Sequence, residues 1–150
     1  MPMALRNALA SDIDRLLELG RQMHQESSYA PMALDEAKLA ELFLTLMDSQ
    51  YLRVVEKDGQ VVCGMLGLCV PAWFSQDKIA YDFALFVDLN HRGGSAAMRL
   101  IKDFIEWAKE VGATQIRLGV TTGSAGVAAE KMYGLLGLTC AGSNFYMNVR

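Results

Sequence analysis

Apolar residues recur at two different periods along the chain, and the changes of period divide it into elements. Ala4 to Arg6 is a short apolar and polar stretch that reads as an edge strand. Ser11 follows as a candidate N-cap, with Asp14 three residues on in the place of a capping-box acid. Ile13, Leu16, Leu17, Gly20 and Met23 then fall at helical spacing, which predicts a helix to about Glu26. Ser27 to Met32 reads as a loop, broken by Pro31. Asp35 opens a second helix with Leu39, Leu42, Phe43 and Leu46 on one face.

The period then shortens. Tyr51 to Glu56 and Val61 to Val70 read as strands flanking Lys57-Asp58-Gly59-Gln60, and Asp-Gly between two β-rich runs predicts a hairpin. Pro71 to Asp77 is a loop carrying Trp73 and Phe74. Lys78 to Val87 is a third long strand. Its alternation predicts Tyr81, Phe83, Leu85 and Val87 on one face, with Ala80, Asp82, Ala84 and Phe86 on the other. After Gly93-Gly94 a long helix shows an apolar stripe from Ala97 through Leu100, Ile101, Phe104 and Ala108 to Val111, ended by Gly112. Thr114 to Val120 reads as a strand and Ala125 to Leu136 as a helix closed by Gly137. Leu138 to Cys140 and Phe145 to Val149 read as short final strands.

The predicted order is β-α-α-β-β-β-α-β-α-β-β, an α/β fold with one mixed sheet of about six or seven strands flanked by about four helices. The hairpin makes part of the sheet antiparallel. The crossover helix between the Lys78 and Thr114 strands makes part of it parallel. No repeat, linker or change of composition divides the chain, so residues 1–150 are expected to form a single domain.

Composition narrows the function. The chain is 52% hydrophobic and 21% charged, which is globular and excludes a disordered polymer. Its formal charge of −3 lacks the general attraction that drives nucleic-acid binding, so no nucleic-acid partner is expected. No apolar run is long enough for a membrane helix, and the N-terminus lacks the basic and apolar pattern of a secretory signal. Cys63, Cys69 and Cys140 are odd in number and match no zinc spacing. His24 and His91 pair with none of them in sequence. The expectation is a cytoplasmic protein with reduced thiols and no metal.

The segment from Val87 to Ala97 carries the most chemistry. It joins a strand to a long helix through His91-Arg92-Gly93-Gly94-Ser95-Ala96-Ala97. Free amides at a helix start, the helix dipole, glycines and a fixed cation together suit a phosphate. The same residues also suit a tight turn with a Ser N-cap and an exposed Arg. The loop matches neither a P-loop nor G-x-G-x-x-G.

It resembles motif A of the GNAT acyl-CoA-dependent N-acetyltransferases, Arg/Gln-x-x-Gly-x-Gly/Ala, in which Arg92 and Ala97 fit and Ser95 replaces the first Gly. Leu5-Arg6-Asn7-Ala8 with Ser11-Asp12-Ile13 is similar to the family's opening, and the element order is the same. Ala129-Glu130-Lys131-Met132-Tyr133-Gly134-Leu135-Leu136-Gly137-Leu138 resembles its Ala-x-x-Leu-Tyr-x-x-Leu-Gly-Phe. Gly126 stands where many members carry Asn.

The resemblance implies a transferase that moves an acetyl group from acetyl-CoA to a primary amine, by direct attack in a ternary complex. It implies that the backbone of Leu85, Phe86 and Val87 pairs with the pantetheine arm, while Arg92, Gly93, Gly94, Ser95, Ala96 and Ala97 hold the diphosphate. Tyr133 is the implied general acid, since a phenol is protonated at neutral pH. Asp82 is the candidate base, flanked by small alanines; a structural Asp is the plainer reading. Between the first two helices, Glu26 is a candidate to attract a cationic amine and Tyr29 to form a wall, against a solvated helix end with a packed Tyr. Trp73 and Phe74 suit a substrate cover, a dimer contact or simple packing. The acceptor is a small-molecule or protein amine, and a homodimer is left open by the aromatic loop and the terminal strands. Two alternative readings are an acyl-CoA-binding module without turnover and an interaction domain that holds no ligand.

Overall fold

The computed structural model describes residues 2–119 and 126–150. The chain opens with strand β1 (Ala4–Asn7) and a short 3-10 turn at Ala10–Asp12, which leads into helix α1 (Ile13–Glu26). Asp12, one residue past the expected cap, anchors this entry. Its carboxylate accepts from the Leu9 amide at 2.7 Å and from the Arg6 guanidinium at 2.7 and 3.0 Å. Helix α2 (Glu36–Ser49) starts at Asp35, whose Oδ1 accepts from the Lys38 amide at 3.1 Å. This is an ordinary side-chain N-cap.

Strands β2 (Tyr51–Lys57) and β3 (Gln60–Pro71) form the expected hairpin. Asp58 and Gly59 both have positive φ, 53° and 77°, as a two-residue turn that follows the strand twist demands. Strand β4 (Lys78–Val87) precedes a 3-10 turn at Leu89–His91 and helix α3 (Ala96–Glu110). Strand β5 (Ala113–Arg117) and helix α4 (Gly126–Leu135) follow. The sheet order is β1-β2-β3-β4-β5, antiparallel through β4 and parallel between β4 and β5.

The sheet carries apolar side chains on both faces. On one, Leu16, Leu19, Phe43 and Leu46 of α1 and α2 bury Leu52, Val54, Leu66 and Phe86. On the other, Leu100, Ile101, Phe104 and Trp107 of α3 bury Tyr51, Val55, Cys63 and Met65. Gly67 is what lets α3 lie this close. A Cβ there would stand 2.4 Å from Cε1 of Phe104.

Two expectations are corrected. Strict alternation along β4 fails, because the register slips by one residue opposite Leu66 and Gly67: Leu66 pairs with Ala84 but Gly67 pairs with Asp82. Phe83 is the extra residue of a β-bulge, and a bulge reverses the faces beyond it. Ala80 therefore lies on the α3 side while Ala84 and Phe86 lie on the α1–α2 side, and Leu85 and Val87 join the α3 side. The second correction concerns the C-terminus. Leu138–Cys140 and Phe145–Val149 are not strands, and among the described residues the sheet has five. Phe145, Met147 and Val149 are exposed at 93%, 82% and 83%, so no surface rewards an extended pairing there. The β5 strand is also shorter than expected, and Val120 and Ala125, the expected bounds of the last strand and helix, lie outside the described residues.

Candidate active site

Strands β4 and β5 part next to the bulge. Their ladder runs from Lys78 with Ala113 to Tyr81 with Arg117 and goes no further. Past Tyr81 the outer backbone edge of β4 faces no strand among the described residues, and this open edge contains Leu85, Phe86 and Val87. Phe86 is fixed beneath it by an edge-on contact with Phe43, ring centroids 6.3 Å apart.

Asp82 and Tyr133 come together where the two strands part. The Gly119 amide donates to Oδ1 of Asp82 at 3.2 Å, and the Tyr133 hydroxyl donates to the Gly119 carbonyl at 3.2 Å. Burial raises the Asp82 carboxyl above its ordinary range, against the lowering effect of its backbone hydrogen bonds. Burial, with the neighbouring Asp82 charge, pushes the Tyr133 phenol up to about 12. A half-buried carboxyl with weakened acidity beside a protonated phenol is an arrangement suited to proton transfer. Sequence alternation had placed Asp82 between two alanines on one face. The bulge keeps Ala80 beside it and turns Ala84 away.

At the end of β4 the chain enters the glycine loop. Asp88 is buried, accepts from the Asn90 amide at 2.8 Å, and pairs with Arg15 of α1. The Arg15 Nε also donates to the Val61 carbonyl at 2.9 Å. These contacts hold the Asp88 carboxyl below its ordinary range, the Asn90 amide most strongly. Gly93 takes φ of 81°, a conformation that favours glycine. Ser95 sits at the N-cap of α3, yet its side chain makes no capping hydrogen bond. The expected Ser cap is absent, and the first-turn amides of α3 gain no partner from it.

Arg92 does not point into free solvent. Its two Nη atoms donate to both carboxylate oxygens of Glu26 at 2.6 and 2.9 Å. Glu26 is thereby held below the usual carboxylate range, first by the guanidinium hydrogen bond. Two residues assigned separate roles from sequence are thus one ion pair. The loop is fastened to α1 at two points, Arg15 to Asp88 and Glu26 to Arg92. Sequence reasoning missed the first, which joins residues 73 positions apart.

The segment after α1 is ordered by His24, whose Nε2 lies 2.8 Å from the Met32 carbonyl. Tyr29 is 47% exposed, so it is not a packed core residue. It lines a concavity of about 400 Å³ with Ser28 and Met32 on one side and Asn144 to Asn148 on the other. Trp73 and Phe74 are exposed and stack edge to face, centroids 5.2 Å apart, and are not core. Cys63 is buried and its thiol is pushed up to about 12 by burial, which makes it a poor nucleophile.

The family model described as Acetyltransferase (GNAT) family matches residues 14–138, and the chain belongs to this family. No curated protein matches the sequence significantly. Among solved structures, the fold is similar to AAC(6')-Iy in complex with a bisubstrate analogue, CoA-S-monomethyl-acetylneamine (TM-score 0.76, 15% identity, 100% of this chain and 99% of that one). It is similar to a predicted acetyltransferase with acetyl-CoA from Clostridium acetobutylicum (TM-score 0.73, 17% identity, 99% and 97%). It also resembles an aminoglycoside acetyltransferase from an uncultured soil metagenomic sample (TM-score 0.72, 18% identity, 100% of each chain). At these identities the likeness is one of fold, and it extends over the whole chain.

Proposed function

We propose that this protein transfers an acetyl group from acetyl-CoA to the primary amine of a small molecule, by direct attack in a ternary complex. The observation that carries the proposal is the end of the β4–β5 ladder at Tyr81, next to the bulge at Phe83 and Asp82, which leaves the edge of Leu85–Val87 unpaired among the described residues. Small-molecule acceptors are favoured by the similarity in fold to a soil metagenomic aminoglycoside acetyltransferase and to AAC(6')-Iy with its CoA-S-monomethyl-acetylneamine analogue.

The residues present fit acetyl-CoA. When bound, it supplies an activated thioester carbonyl and a diphosphate. The open edge of β4 offers backbone donors and acceptors to an extended arm, as a neighbouring strand would use them. Arg92, the flexible Gly93 and Gly94, and the first-turn amides from Ser95 to Ala97 suit the diphosphate. Asp82, made a better base by burial, takes one proton from the incoming ammonium. A neutral amine has the lone pair that attacks the carbonyl carbon. Tyr133 gives its proton to the departing sulfur, and the second proton of the amine restores it. For this step the Tyr133 hydroxyl must turn from the Gly119 carbonyl.

Calorimetric titration with acetyl-CoA, against CoA and ATP, tests the proposal, followed by CoA release with a panel of amines. Saturable acetyl-CoA binding that ATP does not reproduce, with amine-dependent release, is the expected result. Absence of binding at millimolar acetyl-CoA overturns the proposal. Binding without release from any amine supports an acyl-CoA-binding module instead.

A further inference from the structure

The Glu26–Arg92 pair is oddly placed for a structural contact. Its side chains are 34% and 43% exposed, so water competes for it and it contributes little to stability. The firmer fastening of the loop lies at the other end of α1, where Asp88 and Arg15 are both largely buried. That fastening does not need Glu26. The pair does take up the end-on fork of the guanidinium, one N–H from each Nη. A phosphate recognised end-on through that same fork has to displace the carboxylate. A carboxylate held there would also face any bound diphosphate with like charge.

The concavity after α1 presents the complementary problem. Its lining, Ser28, Tyr29, Met32 and Asn144 to Asn148, carries no charge. An ammonium entering it has aromatic rings and amide oxygens but no carboxylate. The next acids along the chain are engaged: Asp35 caps α2, and Glu36 pairs with Arg21 at 3.0 Å. Glu26 stands two residues before Ser28 and, among the described residues, pairs with Arg92 alone.

We propose that Glu26 is an exchangeable counter-ion that Arg92 releases when it takes the diphosphate, and that the freed carboxylate then binds the acceptor's ammonium. This rests on the acetyl-CoA reading above. One residue would thereby link the two substrate sites, and the acceptor site would acquire its charge only after the nucleotide loop is filled. The acceptor this favours is an amine with a single ammonium beside an apolar or aromatic body, matched to one carboxylate and to Tyr29, Phe145 and Tyr146, and not a polycation.

The test is Glu26→Gln, which keeps the shape and removes the charge. Calorimetry with free CoA and with inorganic pyrophosphate reads the loop without turnover. Binding of both probes should tighten by about three-fold or more, because Arg92 no longer has a competing anion. The KM of an arylalkyl monoamine should rise at least ten-fold with kcat little changed, while a polycationic aminoglycoside should remain a poor substrate of both proteins. Weaker CoA binding by Glu26→Gln would mean that Glu26 positions Arg92 for the phosphate, and would overturn the exchange. An unchanged amine KM would remove the acceptor role. If wild-type protein binds no CoA, the acetyl-CoA reading itself falls and the exchange with it. If it binds CoA and only the predicted changes are missing, that reading stands and the exchange alone fails.

Discussion

Asp82 and Tyr133 hold the same residue from opposite sides: Asp82 accepts from the Gly119 amide and Tyr133 donates to the Gly119 carbonyl, each at 3.2 Å. One peptide segment just past β5 therefore fixes the spacing of an acid and a phenol that come from different elements. Each half of this arrangement predicts a different kinetic defect. Tyr133→Phe keeps the ring against the core cluster and removes only the hydroxyl. If Tyr133 protonates the leaving sulfur, kcat should fall by about ten- to a thousand-fold, with acetyl-CoA affinity within two-fold of wild type. Wild-type turnover would leave Tyr133 with a purely structural hydrogen bond.

Asp82→Asn retains an oxygen for the Gly119 amide and removes the charge. Burial raises the Asp82 carboxyl in the folded protein, so its ionised form is less favoured folded than unfolded. A raised folded value gives stability that is fully present below the unfolded value, near 4, and lost as pH rises through the folded one. The Asn variant should therefore be more thermostable than wild type at pH 7–8, with the gain shrinking toward pH 4. Its activity should move the other way: kcat/KM should drop and the acidic limb of its pH profile should flatten. Thermal melts and rate profiles across this range check both signs together. Equal stability of the two proteins at all pH values would show that the Asp82 carboxyl is not strained by burial.

How much of this was legible beforehand depends on the residue. Asp58-Gly59 and Asp35 wrote their hairpin and helix start into the chain, because both signals act within four residues. Leu100, Ile101, Phe104 and Ala108 on α3 were equally plain, whereas buried Trp107 was not read into the stripe and Val111 lies past the helix, exposed. The β4 bulge was not legible, since strand alternation assumes one residue per step and nothing local at Phe83 marks the slip. The slip lies opposite Gly67 of the partner strand, against which the Phe104 ring packs. The Glu26–Arg92 pair spans 66 positions and no periodicity reports it. The terminal strands failed for a related reason: Phe145, Met147 and Val149 have strand composition, but pattern alone supplies no partner edge. Tyr133 was located by its motif, while the Gly119 peptide that positions it lies in a stretch read as strand.

Gly94→Glu tests the loop. Gly94 is exposed, and a Cβ there would approach only the His91 carbonyl, at 3.5 Å, so the fold should survive. The added carboxylate would stand beside the first amides of α3 and repel a diphosphate. Acetyl-CoA binding should weaken by about a hundred-fold or more with an unchanged circular dichroism spectrum. Unchanged affinity would place the diphosphate elsewhere.

Asp12→Ala tests the entry to α1. Asp12 is buried, is held below its ordinary range mainly by the Arg6 hydrogen bond, and also receives the Leu9 amide. Its loss should cost about 1–2 kcal/mol at pH 7, the range for a lost helix cap. A lowered folded value gives stability that is present above the unfolded value and lost as pH falls through the folded one. The gap between wild type and variant in denaturant melts should therefore narrow below pH 4. A gap that stays constant to pH 2 would show that packing, and not the ion pair, sets the cost.

Gly67→Ala tests the closeness of helix and sheet. The new Cβ would meet Cε1 and Cζ of Phe104 at 2.4 and 2.9 Å and the Tyr81 carbonyl at 3.0 Å. The Phe104 ring cannot retreat freely, because Tyr51 and Trp107 pack against it at centroid distances of 4.9 and 5.5 Å. Either α3 lifts from the sheet or β3 and β4 shift where the bulge lies. The expected cost is about 1–3 kcal/mol of stability, as for other overpacked cores. Because Gly67 pairs with Asp82, acetyl-CoA turnover should fall as well, even where the variant is fully folded. The paired substitution Gly67→Ala with Phe104→Leu should recover part of the stability, and measuring both variants by chemical denaturation separates the clash from any other effect of the methyl group.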